Sequence, residues 1–117
     1  MSLPRPIVSI DPAEAARRLE ADDESARPLL VDVREPDEFA AQRIPGAVHV
    51  PLSSLQQDYT TLPQGRPLIL QCASGRRSFV AAQFLQQRGY GDVSNLEGGI
   101  DGWRKAGLPV EAGAAKG

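Results

Sequence analysis

The chain has 117 residues, 41% hydrophobic and 24% charged, with a formal net charge of −2. That is enough chain for one globular domain with a single core, and too little for two. The balance of charge, with no long basic run, argues against nucleic acid as a partner, and no apolar run approaches the roughly 18 residues of a membrane span. Met1 to Pro6 lacks the apolar middle of a secretory signal, and a lone cysteine cannot close an internal disulfide. The expected setting is therefore reducing and cytoplasmic. One cysteine and one histidine are too few soft ligands for a metal site, and no cofactor is expected.

Val8-Ser9-Ile10 reads as a short edge strand. Asp11-Pro12-Ala13-Glu14 then announces a helix to about Glu20, with Asp11 as cap, Pro12 in the first position and Glu14 placed to reach back. Asp22, Asp23 and Glu24 fall in a polar loop and read as solvated. Leu29-Leu30-Val31-Asp32-Val33 is apolar enough for a central strand. Asp32 interrupts it, and a buried carboxylate needs partners. Arg34 or an arginine of the later cysteine loop can supply them, and a structural ion pair is favoured over direct catalysis.

Pro36-Asp37-Glu38-Phe39 opens a short helix with acids in its first turn. Ile44-Pro45-Gly46 is a turn, and Ala47-Val48-His49-Val50 returns as a strand. His49 alternates with valines, so it reads as a packed or hydrogen-bonded residue before it reads as a general base. A helical turn or two follows over Pro51 to Gln57, then a loop from Thr60 to Arg66.

Leu68-Ile69-Leu70 is a continuous apolar run, as expected of a strand covered on both faces, and Gln71 carries it to the chain's only cysteine. Ala73, Ser74 and Gly75 are small, so their N–H groups can share one concavity. From Arg76 the spacing turns helical, with Val80, Ala81, Phe84 and Leu85 on one face. A helix start offers unpaired N–H groups and partial positive charge, and Arg76 and Arg77 add more. A cysteine in that place is held toward its thiolate. A lone cysteine in an apolar run is ordinarily a small buried hydrophobe; the strand end, small-residue turn and two arginines favour the reactive reading.

Gly89 closes this helix in a left-handed conformation, with Tyr90 placed to pack back on Leu85. Asp92-Val93-Ser94-Asn95-Leu96 is a fifth strand, and Glu97-Gly98-Gly99 reads as a flexible turn. Ile100, Trp103 and Lys105-Ala106 suggest a last helix closed by Gly107, with Trp103 in the core or as a lid. Strands alternating with helices imply an α/β domain with a five-stranded, mainly parallel sheet flanked by helices. Sites in such sheets lie at the carboxyl ends of strands, where Cys72 falls.

Three blocks resemble the rhodanese-like sulfurtransferases in single-domain form, over about Ile7 to Val110. Val31-Asp32-Val33-Arg34-Glu35-Pro36-Asp37-Glu38-Phe39 with Ile44-Pro45-Gly46-Ala47 resembles the first signature. Cys72-Ala73-Ser74-Gly75-Arg76-Arg77-Ser78 resembles the active-site loop, commonly Cys-x-x-Gly-x-Arg-Ser. Asn95-Leu96-Glu97-Gly98-Gly99, then Trp103 and Gly107-Leu108-Pro109-Val110, resembles the closing signature. Gln42-Arg43 departs from the family's frequent Gly-His, at a position taken to be peripheral.

The resemblance implies a single rhodanese domain over 1–117, with a core of about 7–110 and a tail, 111–117, expected to fray. It implies that Cys72 takes a sulfur from an anionic donor such as thiosulfate, becomes a persulfide, and passes the sulfur to cyanide or a thiol. Ala73, Ser74, Gly75, Arg76, Arg77 and Ser78 would bind substrate, with Asp32 and Arg34 in support. A salt bridge to Asp32 or Glu97 is the competing role for either loop arginine. The partners implied are small-molecule donors and acceptors, with a thiol protein such as a thioredoxin-like reductant; a monomer is the default. Two rivals stand beside this. A cysteine phosphatase commonly reads Cys-x5-Arg, whereas the sixth residue after Cys72 is Ser78, which leaves the loop one residue short. A non-catalytic rhodanese-like binding module usually lacks the cysteine, which is present here.

Overall fold

The computed structural model describes residues 6–113. The start read as non-secretory, but for Pro6, and the last four residues of the expected tail lie outside them. Five parallel strands form the main sheet: β1 (Val8–Ile10), β2 (Leu29–Asp32), β4 (Val48–His49), β5 (Leu68–Gln71) and β6 (Val93–Leu96), in the spatial order β1-β6-β5-β2-β4. The sheet is the expected one in strand number and direction.

Side chains alternate across the strands, so β5 feeds two cores. Leu68, Leu70 and Cys72 face one side with Val31, Val33, Leu55, Ala81, Ala82 and Leu85. Ile69 faces the other with Leu30, Leu96, Ala15, Ile100 and Trp103. The first side is covered by α4 (Arg76–Gln87) and α3 (Leu55–Asp58), the second by α1 (Pro12–Leu19) and α5 (Gly99–Lys105). Burial of each large aliphatic side chain stabilises the fold by about 1.5–3 kcal/mol.

Helix ends follow the local chemistry. Asp11 Oδ1 accepts the Glu14 amide at 2.8 Å, and Pro12 occupies the first turn. Glu14 turns its carboxylate to Arg17 and Arg18 instead of back to the cap. At the far end of α4, Gly89 takes φ +96°, the Tyr90 amide donates to the Leu85 carbonyl at 3.1 Å, and Tyr90 is buried. Trp103 is likewise buried, and its indole N–H donates to the Pro109 carbonyl at 2.8 Å. It is a core residue.

A second, two-stranded antiparallel sheet was not anticipated: β3 (Gln42–Arg43) pairs with β7 (Glu111–Ala112). The expected fraying therefore does not begin at Glu111. Arg43 fixes the pairing by donating to the Gly113 carbonyl at 2.8 Å and approaching the Glu111 carboxylate at 3.6 Å. Gln42-Arg43, read as peripheral, is the clasp that holds residues 111–113 to the domain. The short helix α2 (Pro36–Ala41) runs directly into it.

Chain order explains where a site can form. From β2 the chain proceeds to β4 on one side, and from β5 through α4 to β6 on the other. The two connections diverge at the carboxyl ends of β2 and β5, the switch point where sites form in such sheets. Cys72 is the first residue beyond β5.

Candidate active site

Cys72 leaves the sheet and the chain turns sharply around its sulfur. Gly75, at φ +100°, is the N-cap of α4 and donates its amide to Sγ at 3.1 Å. The Ser78 amide donates at 3.3 Å, and the Ser78 hydroxyl lies 3.4 Å from the sulfur. These donors come from the first turn of a helix, where N–H groups have no helical partner and the dipole favours negative charge.

The turn is held from behind. The Ile100 amide donates to the Cys72 carbonyl at 2.9 Å, and the Asp101 amide to the Ala73 carbonyl at 3.1 Å. In a trans peptide N–H and C=O point opposite ways, so these bonds aim the Ala73 and Ser74 amides away from α5. A Cβ on Gly99 would lie 2.3 Å from the Cys72 carbonyl oxygen and 2.6 Å from the Ala73 carbonyl. Only glycine permits that approach. Glu97-Gly98-Gly99, expected to be a flexible turn, is instead the seat on which the cysteine loop rests.

Cys72 is 1% exposed and packs with the aliphatic core. Burial pushes the thiol pKa up; hydrogen bonds from the Ser78 hydroxyl and amide and from the Gly75 and Ser74 amides pull it down. The downward pull wins, leaving the thiol below its ordinary value.

The arginines divide. Arg77 forms a bidentate pair with Glu38 of α2, at 2.8 and 2.9 Å, and not with Asp32 or Glu97. Hydrogen bonding to Arg77 holds the Glu38 carboxyl down at about 2, and the carboxylate raises Arg77 in return. Arg76 is exposed and has no ion pair among the described residues. Asp32 is fully buried and accepts from the Arg34 backbone at 2.9 Å and from its guanidinium at 2.8 Å. Arg34 also reaches the Gln42 carbonyl at 2.6 Å. That closed pair braces β2 against β3. His49 donates its Nε2–H to the Arg34 carbonyl at 2.7 Å, because a carbonyl only accepts. Its ring stacks on Phe39 at 4.3 Å. Its observed bonding is structural.

A model of the rhodanese-like domain matches residues 11–106. The chain belongs to the rhodanese family. It is 42% identical over 103 residues to a sulfurtransferase of Allochromatium vinosum, covering 88% of this chain and 94% of the relative. A thiosulfate sulfurtransferase, GlpE, of Actinobacillus succinogenes is 37% identical over 83 residues, covering 71% and 75%. Among solved structures, a rhodanese-related protein from Thermoplasma volcanium superposes with a TM-score of 0.79 at 32% identity, over 89% of this chain and 97% of that one.

Within this rhodanese domain the structure brings Gly75 and Ser78 onto the sulfur and gives Ser74 an electrostatic part. Ala73 serves the turn through its carbonyl, and Ser74 and Arg76 stand exposed at the mouth. Two residues of consequence were not singled out. Glu38 read as a helix-start acid, and nothing local ties it to a residue 39 positions away. Asn95 had a signal: an amide inside an apolar strand must find buried partners, and it finds Ser78 and Gly75.

Proposed function

We propose that this domain moves a sulfane sulfur from an anionic donor such as thiosulfate to a thiol or cyanide, through a persulfide on Cys72. The Cys72 thiolate attacks the outer sulfur of thiosulfate, the donor's S–S bond breaks, and sulfite leaves with the electron pair. Cys72 then carries one extra sulfur as a persulfide anion. An acceptor thiolate or cyanide attacks that outer sulfur and the Cys72 thiolate is restored. Charge stays near one locus throughout, so fixed donors serve both steps without rearranging. Arg76, without an ion pair among the described residues, is a cation placed to draw in the donor and steady the departing sulfite. Arg77, already paired with Glu38, acts mainly on the shape of the mouth.

One observation carries this reading: the Gly75 and Ser78 amides donate to Cys72 Sγ at 3.1 and 3.3 Å. A buried structural cysteine has no need of them. The test is the intact mass after incubation with thiosulfate. The wild-type chain is expected to gain one sulfur atom, lose it to cyanide as thiocyanate, and gain nothing as Cys72→Ser. A wild-type chain that takes up no sulfur from thiosulfate or any other sulfane donor would contradict the reading and favour a binding module.

A further inference from the structure

The Ser78 hydroxyl has two neighbours and one proton. Asn95 Oδ1 lies 2.5 Å from Ser78 Oγ, and Cys72 Sγ lies 3.4 Å from it. The orientation of the Asn95 amide is fixed by a third group. Its Nδ2 is 3.1 Å from the Gly75 carbonyl oxygen, which can only accept, so the NH2 end faces Gly75 and the oxygen faces Ser78. Nδ2 also reaches Ser9 Oγ at 3.3 Å. Asn95 and Ser78 are both more than nine-tenths buried, so water does not substitute freely for either partner.

We propose that Asn95 is a positioning residue for the reacting sulfur: its amide oxygen accepts the Ser78 hydroxyl hydrogen bond while Cys72 is a neutral thiol, and gives that hydrogen bond up to the sulfur when the sulfur bears charge. In the thiol state the Cys72 S–H donates to Ser78 Oγ, and Ser78 donates on to Asn95. When the thiol ionises, its proton passes to solvent, and the Ser78 O–H turns from Asn95 to the sulfur. No covalent bond of Ser78 changes. The hydroxyl is thus a two-position donor, and the strength of its bond to Asn95 sets how readily the sulfur becomes an anion. The charged groups around the cup are Arg76 and Arg77 of α4, and Glu38 of α2 bonded to Arg77. None of these is altered in the variants below.

The test follows the pH dependence of Cys72 alkylation by iodoacetamide in four chains: wild type, Asn95→Leu, Ser78→Ala and the double variant. Removing the competing acceptor frees the hydroxyl for the sulfur, so Asn95→Leu should react faster below the wild-type midpoint. One hydrogen bond corresponds to about a fivefold change. Ser78→Ala should react more slowly, and in its background Asn95→Leu should have no further effect. If Asn95 were only a prop for the loop, its loss would draw the Gly75 amide off the sulfur and slow alkylation with or without Ser78. Slower reaction, or equal shifts in both backgrounds, would overturn the proposal. Should the variants fail to fold, the wild-type chain still decides. The Asn95 side-chain carbonyl carbon should move upfield in NMR across the thiol titration, as it loses its donor, and a carbon that does not move would overturn it. The inference shares its reacting atom with the proposed sulfur transfer but not its readout: failure to take up sulfur sinks that function, whereas the alkylation profile judges Asn95 alone.

Discussion

Burial and hydrogen bonding pull Cys72 in opposite directions, and the outcome depends on which residues supply the donors. The aliphatic neighbours of Cys72 favour a neutral thiol. The Gly75 and Ser78 groups favour the anion, and they win. Beside them, Glu38 and Arg77 are a partly exposed pair, with side chains about one-third open to solvent. Such a pair contributes about 1 kcal/mol or less. Glu38 ionises in the folded chain at about 2, below its ordinary 4.5. The contribution is therefore fully present above the higher value and fades as pH falls toward the lower one. Glu38→Gln should accordingly lower stability slightly at neutral pH, with the difference from wild type gone near pH 2 in paired denaturation curves. It also frees Arg77. In steady-state kinetics the KM for thiosulfate should fall a few-fold; an unchanged or higher KM would show that Arg77 serves the donor only as placed by Glu38.

At the scale of elements, the loop is defined by what lies behind it. The first turn of α5 holds the Cys72 and Ala73 carbonyls, and the bare Cα of Gly99 lets the two segments touch. Gly99→Ala combines a left-handed φ of +58° with a Cβ 2.3 Å from the Cys72 carbonyl oxygen. The strained conformation alone costs about 1–2 kcal/mol, and the loop must shift besides. Misplacing the sulfur's donors by about 1 Å lowers turnover on the order of a hundredfold. Chemical denaturation and kcat measure the two effects; a variant of wild-type activity would show that the glycine is not needed.

The parts of this arrangement that could be read from sequence are local ones. Leu68 to Leu70, the small residues 73–75 and the helical spacing after Arg76 each carry their own signal, so β5, the turn and α4 fall where expected. The buttress could not be read that way. Gly98-Gly99 looks the same whether a turn is loose or pressed against another segment, because its partner is far away in the chain. The two-residue strands β3 and β7 are too short and too polar to show any period.

For the whole molecule, the parallel sheet sets Cys72 at the carboxyl end of β5, where the connections diverge, and ion pairs hold the flanking pieces. Asp32 and Arg34 are both buried and bond to each other and to nearby backbone. Asp32 was legible as a buried carboxylate in need of a cation, and the nearest candidate in sequence proved to be the partner. Asp32→Ala would leave the Arg34 charge enclosed without its counterion. Breaking a buried pair from one side costs about 3–5 kcal/mol, a large share of the roughly 5–15 kcal/mol that stabilises a domain. A much smaller loss in denaturant melts would mean that Arg34 escapes to solvent. Sheet, loop and buttress converge on one result: the backbone makes an anion at Cys72 easier to hold than the surrounding core would allow. Direct titration of the Cys72 thiol in the resting protein, followed by thiolate absorbance, tests this most plainly. The account predicts a midpoint below that of a free cysteine, near ~8.5; a midpoint above it would mean that burial prevails and would contradict the account.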